Sequence, residues 1–124
     1  MRSAIVCKFG GSSVADASQI EKIRKIVSDD PDRRVVVVSA PGRVHDGEEK
    51  VTDHLLNIAS RGEHFLEQRK DIQAAESREA VLGKFRTIVR DLGIDGTAHL
   101  AALEKDLDSQ LEGDERIAFL ASRG

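Results

Sequence analysis

Residues 34–39 read RVVVVS, Arg34 to Ser39. Four consecutive β-branched residues favour a strand. They do not alternate with polar residues, so both faces of that strand are expected to be covered. This is the pattern of a parallel sheet sandwiched between helices. Working back, AIVCKF (Ala4 to Phe9) is a second short apolar strand, broken by Gly10 and Gly11. Between the two, Ile20, Ile23, Ile26 and Val27 recur at helical spacing, with Asp16 or Ser18 as N-cap. DDPD, Asp29 to Asp32, supplies the turn. Strand, helix and strand make a βαβ unit.

Working forward, APGRVHDGEE is a flexible polar loop. Lys50 to Ser60 places Val51, Leu55, Ile58 and Ala59 on one helical stripe. Residues 64–92 carry apolar positions from Phe65 to Leu92 that read as two helical segments, closed by DLGIDG. Leu100, Leu103, Leu107 and Leu111 mark another amphipathic helix, and a further one begins near Glu115. Two strands are too few to cover their own edges. The expectation is therefore the opening portion of a larger α/β domain that turns helix-rich after residue 50.

The bulk numbers agree with a single globular unit. The chain has 124 residues, 40% of them hydrophobic, 33% charged and 3% aromatic, with no Trp or Tyr. The core must then be built from aliphatic residues. A net charge of -3 with no basic stripe argues against nucleic acid as a partner. No apolar run reaches the roughly 20 residues that span a bilayer, so no membrane partner is expected. Lys8 and two glycines interrupt the only apolar run near the start, so no signal peptide is read there. One cysteine, Cys7, fits a reducing cytoplasm.

The chemistry concentrates in KFGGSSVAD, Lys8 to Asp16. Ligands of parallel α/β sheets bind at the carboxyl ends of strands. Gly10 and Gly11 let backbone amides approach an anion, Ser12 and Ser13 add hydroxyls, and Lys8 adds charge. The helix that follows is expected to point its N-terminus at the same place. A Walker A loop places its lysine after the glycines, whereas here it precedes them. The bland alternative is a Gly-Gly turn with a solvated lysine. Against it stands the cost of burying an unpaired ammonium in an apolar strand end. Ser39, at the end of the second strand beside Pro41-Gly42, belongs at the same sheet end. Thr52 reads equally as a first-turn helix residue or N-cap. His45, His54, His64 and His99 lack metal-ligand spacing, so no metal-binding residue is assigned. Cys7 is expected to be inert core, and Asp46 to Glu49 a solvated loop.

KFGGSSVAD is very similar to the opening motif of aspartate kinases, in the amino acid kinase family. VVVVSAPG (Val35 to Gly42), KVTD (Lys50 to Asp53) and DERIAFLASRG (Asp114 to Gly124) resemble three further stretches of that family, in order. The resemblance implies the N-terminal portion of a three-layer α/β/α amino acid kinase fold with a mostly parallel sheet, over residues 1–124. It implies that family members continue beyond this length into the rest of a catalytic domain and regulatory ACT domains, none of which is present here. It further implies transfer of the γ-phosphoryl of ATP to the β-carboxylate of L-aspartate, the first step toward lysine, threonine and methionine. Magnesium would be held mainly by the phosphates. Lys8 would contact the transferred phosphate as the catalytic residue, with Phe9, Gly10, Gly11, Ser12 and Ser13 around it. Ser39, Ala40 and Thr52 would bind aspartate. Two alternatives stand beside this reading. One is a family kinase acting on glutamate, carbamate or a nucleotide. The other is a non-catalytic fragment or interaction module that keeps a phosphate loop and self-associates into a homo-oligomer through exposed apolar surface.

Overall fold

The computed structural model of the chain describes residues 3–59, 67–109 and 113–123. They fall into two compact units, residues 1–48 and 49–124.

The first unit is the expected βαβ. Strand β1 (Ile5–Phe9) leads through a 3₁₀ turn (Gly11–Val14) into helix α1 (Ala17–Ser28) and strand β2 (Arg33–Val38). Asp16 caps α1: its Oδ1 accepts the Gln19 N–H at 2.9 Å. The Asp30 carboxylate holds the turn before β2 by accepting the Asp32 N–H at 2.9 Å. The strands pair in parallel, with Cys7 beside Val36 and Lys8 beside Val37, and an irregularity between Ile5 and Val6. Among the described residues the sheet has only these two strands.

One expectation is not met in this unit. Val35 to Val38 were read as covered on both faces, yet they are 43–57% exposed, and Val6 is 64% exposed. A single βαβ supplies one helix and no third strand. The valines therefore keep the composition of a sheet interior without its covering layers. Cys7 is likewise half-buried rather than core.

The second unit is helical: α2 (Val51–Ala59), α3 (Glu67–Leu92), α4 (Thr97–Leu107) and α5 (Gly113–Ala121). The expected stripe on α2 holds, because Val51, Leu55, Ile58 and Ala59 are all buried. They pack with Val81, Leu82, Leu107 and Leu120, and with half-buried Phe85, Leu103, Ile117 and Phe119. The two segments read in residues 64–92 are a single helix from Glu67 onward. Strong helix formers run through Ala74 to Leu82, and the lone Gly83 costs only about 1 kcal/mol. Residues 64–66 and Leu111 lie outside the described residues. Gly93, at φ 66°, ends α3 in the left-handed region, and the Ile94 N–H returns to the Val89 carbonyl at 3.3 Å.

Two arginines tie these helices together. Arg78 on α3 grips Asp108 through Nε–Oδ1 at 2.8 Å and Nη2–Oδ2 at 2.9 Å, and reaches Glu104 of α4 at 3.1 Å. The hydrogen bond to Asp108 is the main reason its guanidinium is held charged even more firmly than usual. Arg116 on α5 donates to the Ser109 carbonyl at 2.9 Å and to the Ile58 carbonyl, in the last turn of α2, at 3.3 Å.

Candidate functional site

Parallel pairing puts the carboxyl ends of β1 and β2 at the same end of the sheet, and the ladder carries on past both strands. The Ser39 N–H donates to the Phe9 carbonyl at 3.1 Å, and the Gly42 N–H donates to the Gly11 carbonyl at 2.8 Å. The Ser13 N–H closes the 3₁₀ turn on the Gly10 carbonyl at 3.0 Å. The structure thus brings Phe9 to Ser13 together with Ser39 and Ala40, as the sequence reading expected.

Gly11 and Gly42 lie close to each other's backbone in this joint. A Cβ placed on Gly11 would lie 3.1 Å from the Ala40 carbonyl oxygen. A Cβ on Gly10 would lie 3.9 Å from Lys8 Nζ, so the ammonium hangs beside the first glycine. Ser12 is exposed, while Phe9, Ser13, Ser39 and Ala40 are half-buried.

Two parts of the sequence argument change here. Lys8 is exposed, not buried, because the sheet end is open on its side. Its case for an anion therefore rests on availability: no carboxylate pairs with it among the described residues. The dipole argument also shifts. The helix directly after the glycines is the short 3₁₀ turn, and the positive end of α1 is answered by the Asp16 carboxylate. The joint therefore offers a cation, glycine backbone and hydroxyls rather than a long-helix dipole.

Residues 40–49, read as one polar loop, divide in two. Arg43 to Gly47 are exposed. Pro41 is buried and Gly42 packs on the Gly11–Ser12 peptide, so these two belong to the joint. The signal was available: a Pro-Gly pair directly after a strand end marks a backbone needing close approach.

Thr52 lies exposed in the first turn of α2. It is not the N-cap, since the Lys50 carbonyl receives the Asp53 N–H at 3.0 Å and the His54 N–H at 3.2 Å. His54, read as a surface or partly buried residue, has a structural role. Its Nδ1 is 3.1 Å from Ser77 Oγ and 3.2 Å from Glu49 Oε2, and Asn57 Nδ2 donates to the same buried serine at 3.3 Å. This polar seam between α2 and α3 has no signature in residue spacing. His64 lies outside the described residues. Among the described residues no three His, Cys, Asp or Glu side chains converge as metal ligands.

Comparison with known proteins places this geometry. The model of the amino acid kinase family matches residues 3–114, and the chain belongs to that family. Over 110 residues it is 40% identical to aspartokinase 3 of Bacillus subtilis, covering 89% of this chain and 23% of that protein. It is 33% identical over 119 residues to a chloroplastic bifunctional aspartokinase/homoserine dehydrogenase 2 of Arabidopsis thaliana, covering 94% of this chain and 12% of the relative. The crystal structure of Clostridium acetobutylicum aspartate kinase superposes with a TM-score of 0.76 at 28% identity, over 99% of this chain and 27% of that one. E. coli aspartokinase III, solved in complex with aspartate and ADP, shares the fold at a TM-score of 0.51 and 23% identity, over 98% of this chain and 26% of that one. The fold is thus part of the α/β amino acid kinase fold, as expected. The chain spans about a quarter of the length of the B. subtilis relative.

Proposed function

We propose that the chain carries the phosphate-binding part of an aspartate kinase, in a protein that phosphorylates L-aspartate with ATP. The observation behind this reading is the joint itself: Lys8, with no carboxylate partner among the described residues, stands beside Gly10, where two post-strand loops meet backbone to backbone. The likeness to aspartokinases, at 40% identity to the B. subtilis relative, favours aspartate as acceptor.

In the transfer, an oxygen of the aspartate β-carboxylate forms a bond to the γ-phosphorus of ATP. The bond from that phosphorus to the β,γ-bridging oxygen breaks, and ADP leaves with the electron pair. The acceptor is already ionised near neutral pH, so no general base is required. The obstacle is repulsion between two anions, and catalysis is mostly positioning and charge stabilisation. Lys8 would meet the transferred phosphoryl group, with the backbone of Phe9, Gly10 and Gly11 and the hydroxyls of Ser12 and Ser13 around it. Ser39, Ala40 and Thr52 would contact aspartate. Magnesium, held by the phosphates and water, would neutralise charge on the polyphosphate.

Calorimetric titration of this chain with MgATP tests the phosphate half of the reading. Saturable binding lost in Lys8→Ala is expected, and its absence in the parent chain would remove the proposal. Assay of the whole protein on aspartate and on glutamate tests the acceptor: turnover on glutamate alone would overturn aspartate. The alternative of a non-catalytic module predicts neither binding nor turnover.

A further inference from the structure

We infer that Gly42 sets the orientation of the glycine-serine turn, and so is a positioning residue for phosphate binding, acting through the Gly11–Ser12 peptide. This rests on the reading of that turn as a phosphate site, but the geometry behind it is independent of any ligand.

The argument runs through a single peptide plane. A Cβ placed on Gly42 would lie 2.5 Å from the Gly11 carbonyl carbon, 2.7 Å from its oxygen and 2.8 Å from the Ser12 nitrogen. All three atoms belong to one peptide group, and none is a side chain that could swing aside. The Gly42 N–H also donates to that same carbonyl at 2.8 Å. No cis peptide is present among the described residues, and in a trans peptide the C=O and N–H point in opposite directions. Fixing the Gly11 carbonyl toward Gly42 therefore turns the Ser12 N–H away from it. A side chain at position 42 must rotate or displace this peptide, and the direction of the Ser12 amide changes with it. The neighbouring glycine of the same connection behaves differently. A Cβ on Gly47 would meet only the His45 ring, at 3.6 Å. Misplacing a positioning group by about 1 Å commonly costs on the order of a hundredfold in function.

The test compares the chain with Gly42→Ala and Gly47→Ala, by amide NMR, thermal melting and MgATP calorimetry. In Gly42→Ala the amide resonances of Gly10 to Ser13 should move while those of α3 and α4 stay. MgATP affinity should fall by about tenfold or more, with the melting temperature of the helical unit unchanged. Gly47→Ala should match the parent in all three. A residue with only a structural role would lower the melting temperature and leave the affinity alone. Unmoved Gly11 and Ser12 resonances, or parental affinity, in a folded Gly42→Ala would overturn the inference. Should the parent chain bind no MgATP, the phosphate reading fails, and the resonances alone still decide whether Gly42 orients the turn. Should Gly42→Ala fail to fold, Gly11→Ala, whose Cβ would meet Gly42 Cα at 3.3 Å, carries the same test. Displaced Gly10 to Ser13 amides support the joint, and undisplaced ones overturn it.

Discussion

The two units use the same aliphatic residues to opposite ends. In the helical unit Leu55, Leu82 and Leu120 are no more than 1% exposed, and four helices close a core of their own. In the βαβ unit Val35 to Val38 remain 43–57% exposed, while the strand ends carry the candidate chemistry. Hydrophobic composition alone therefore does not say where stability resides. Burial does, and here it is concentrated in the helical unit, while the βαβ unit carries the candidate site.

That contrast can be broken by experiment. The largest effect should come from Leu82→Ala, which opens a cavity in the helical core and should cost about 2–5 kcal/mol in urea unfolding. Its mirror, Val36→Ala on exposed β2, should cost only about 0.5 kcal/mol. Equal losses would show that the strand unit contributes to the same core. Next comes Lys8→Ala. It should lower turnover of the whole protein by about 10²–10³-fold and leave the unfolding midpoint unchanged. A lowered midpoint would mean that site and stability are not separate.

Smaller effects sharpen the helical side. Arg78→Ala releases a bidentate pair with Asp108, but that carboxylate is 55% exposed. The expected loss is about 1 kcal/mol rather than that of a buried pair. The smallest effect concerns acid. Asp95 accepts the Thr97 N–H at 3.1 Å at the start of α4, which holds its carboxyl below the ordinary aspartate range. Its folded value lies below its unfolded one, so its contribution is present above the unfolded value. That contribution is lost as pH falls through the folded value. Asp95→Asn should flatten the acid arm of the stability curve below about pH 4. An unaltered acid arm would show that the contact carries no weight.

Much of this was legible in the residues. The βαβ order came from RVVVVS and AIVCKF, the buried stripe of α2 from Val51, Leu55, Ile58 and Ala59, and the tight turn after β1 from Gly10 and Gly11. What escaped was set by partners rather than by pattern. A valine run reports that a strand suits a covered sheet, not that the cover is there. Asp16 reads as a cap, but that it occupies the positive end of α1 follows only once the 3₁₀ turn is seen between it and the glycines. Pro41-Gly42 marks a turn, but that Gly42 lies against the Gly11–Ser12 peptide follows only once the second strand's exit is laid against the first. The His54–Ser77 seam joins residues on two helices, a distance no local spacing encodes.

The open strand β2 has a consequence for the chain in solution. Among the described residues β2 is paired on one edge only, and a run of four valines there has the makings of a template for cross-β pairing between copies. Arg33 and Arg34 stand at its entrance, but each has an aspartate of the preceding turn beside it, Asp30 at 4.0 Å and Asp32 at 3.5 Å, so their charges do little to oppose the stacking of identical strands. The shelf life of a concentrated sample is then set by the valine edge itself, and should respond little to ionic strength. A melting curve of the helical core would not register it.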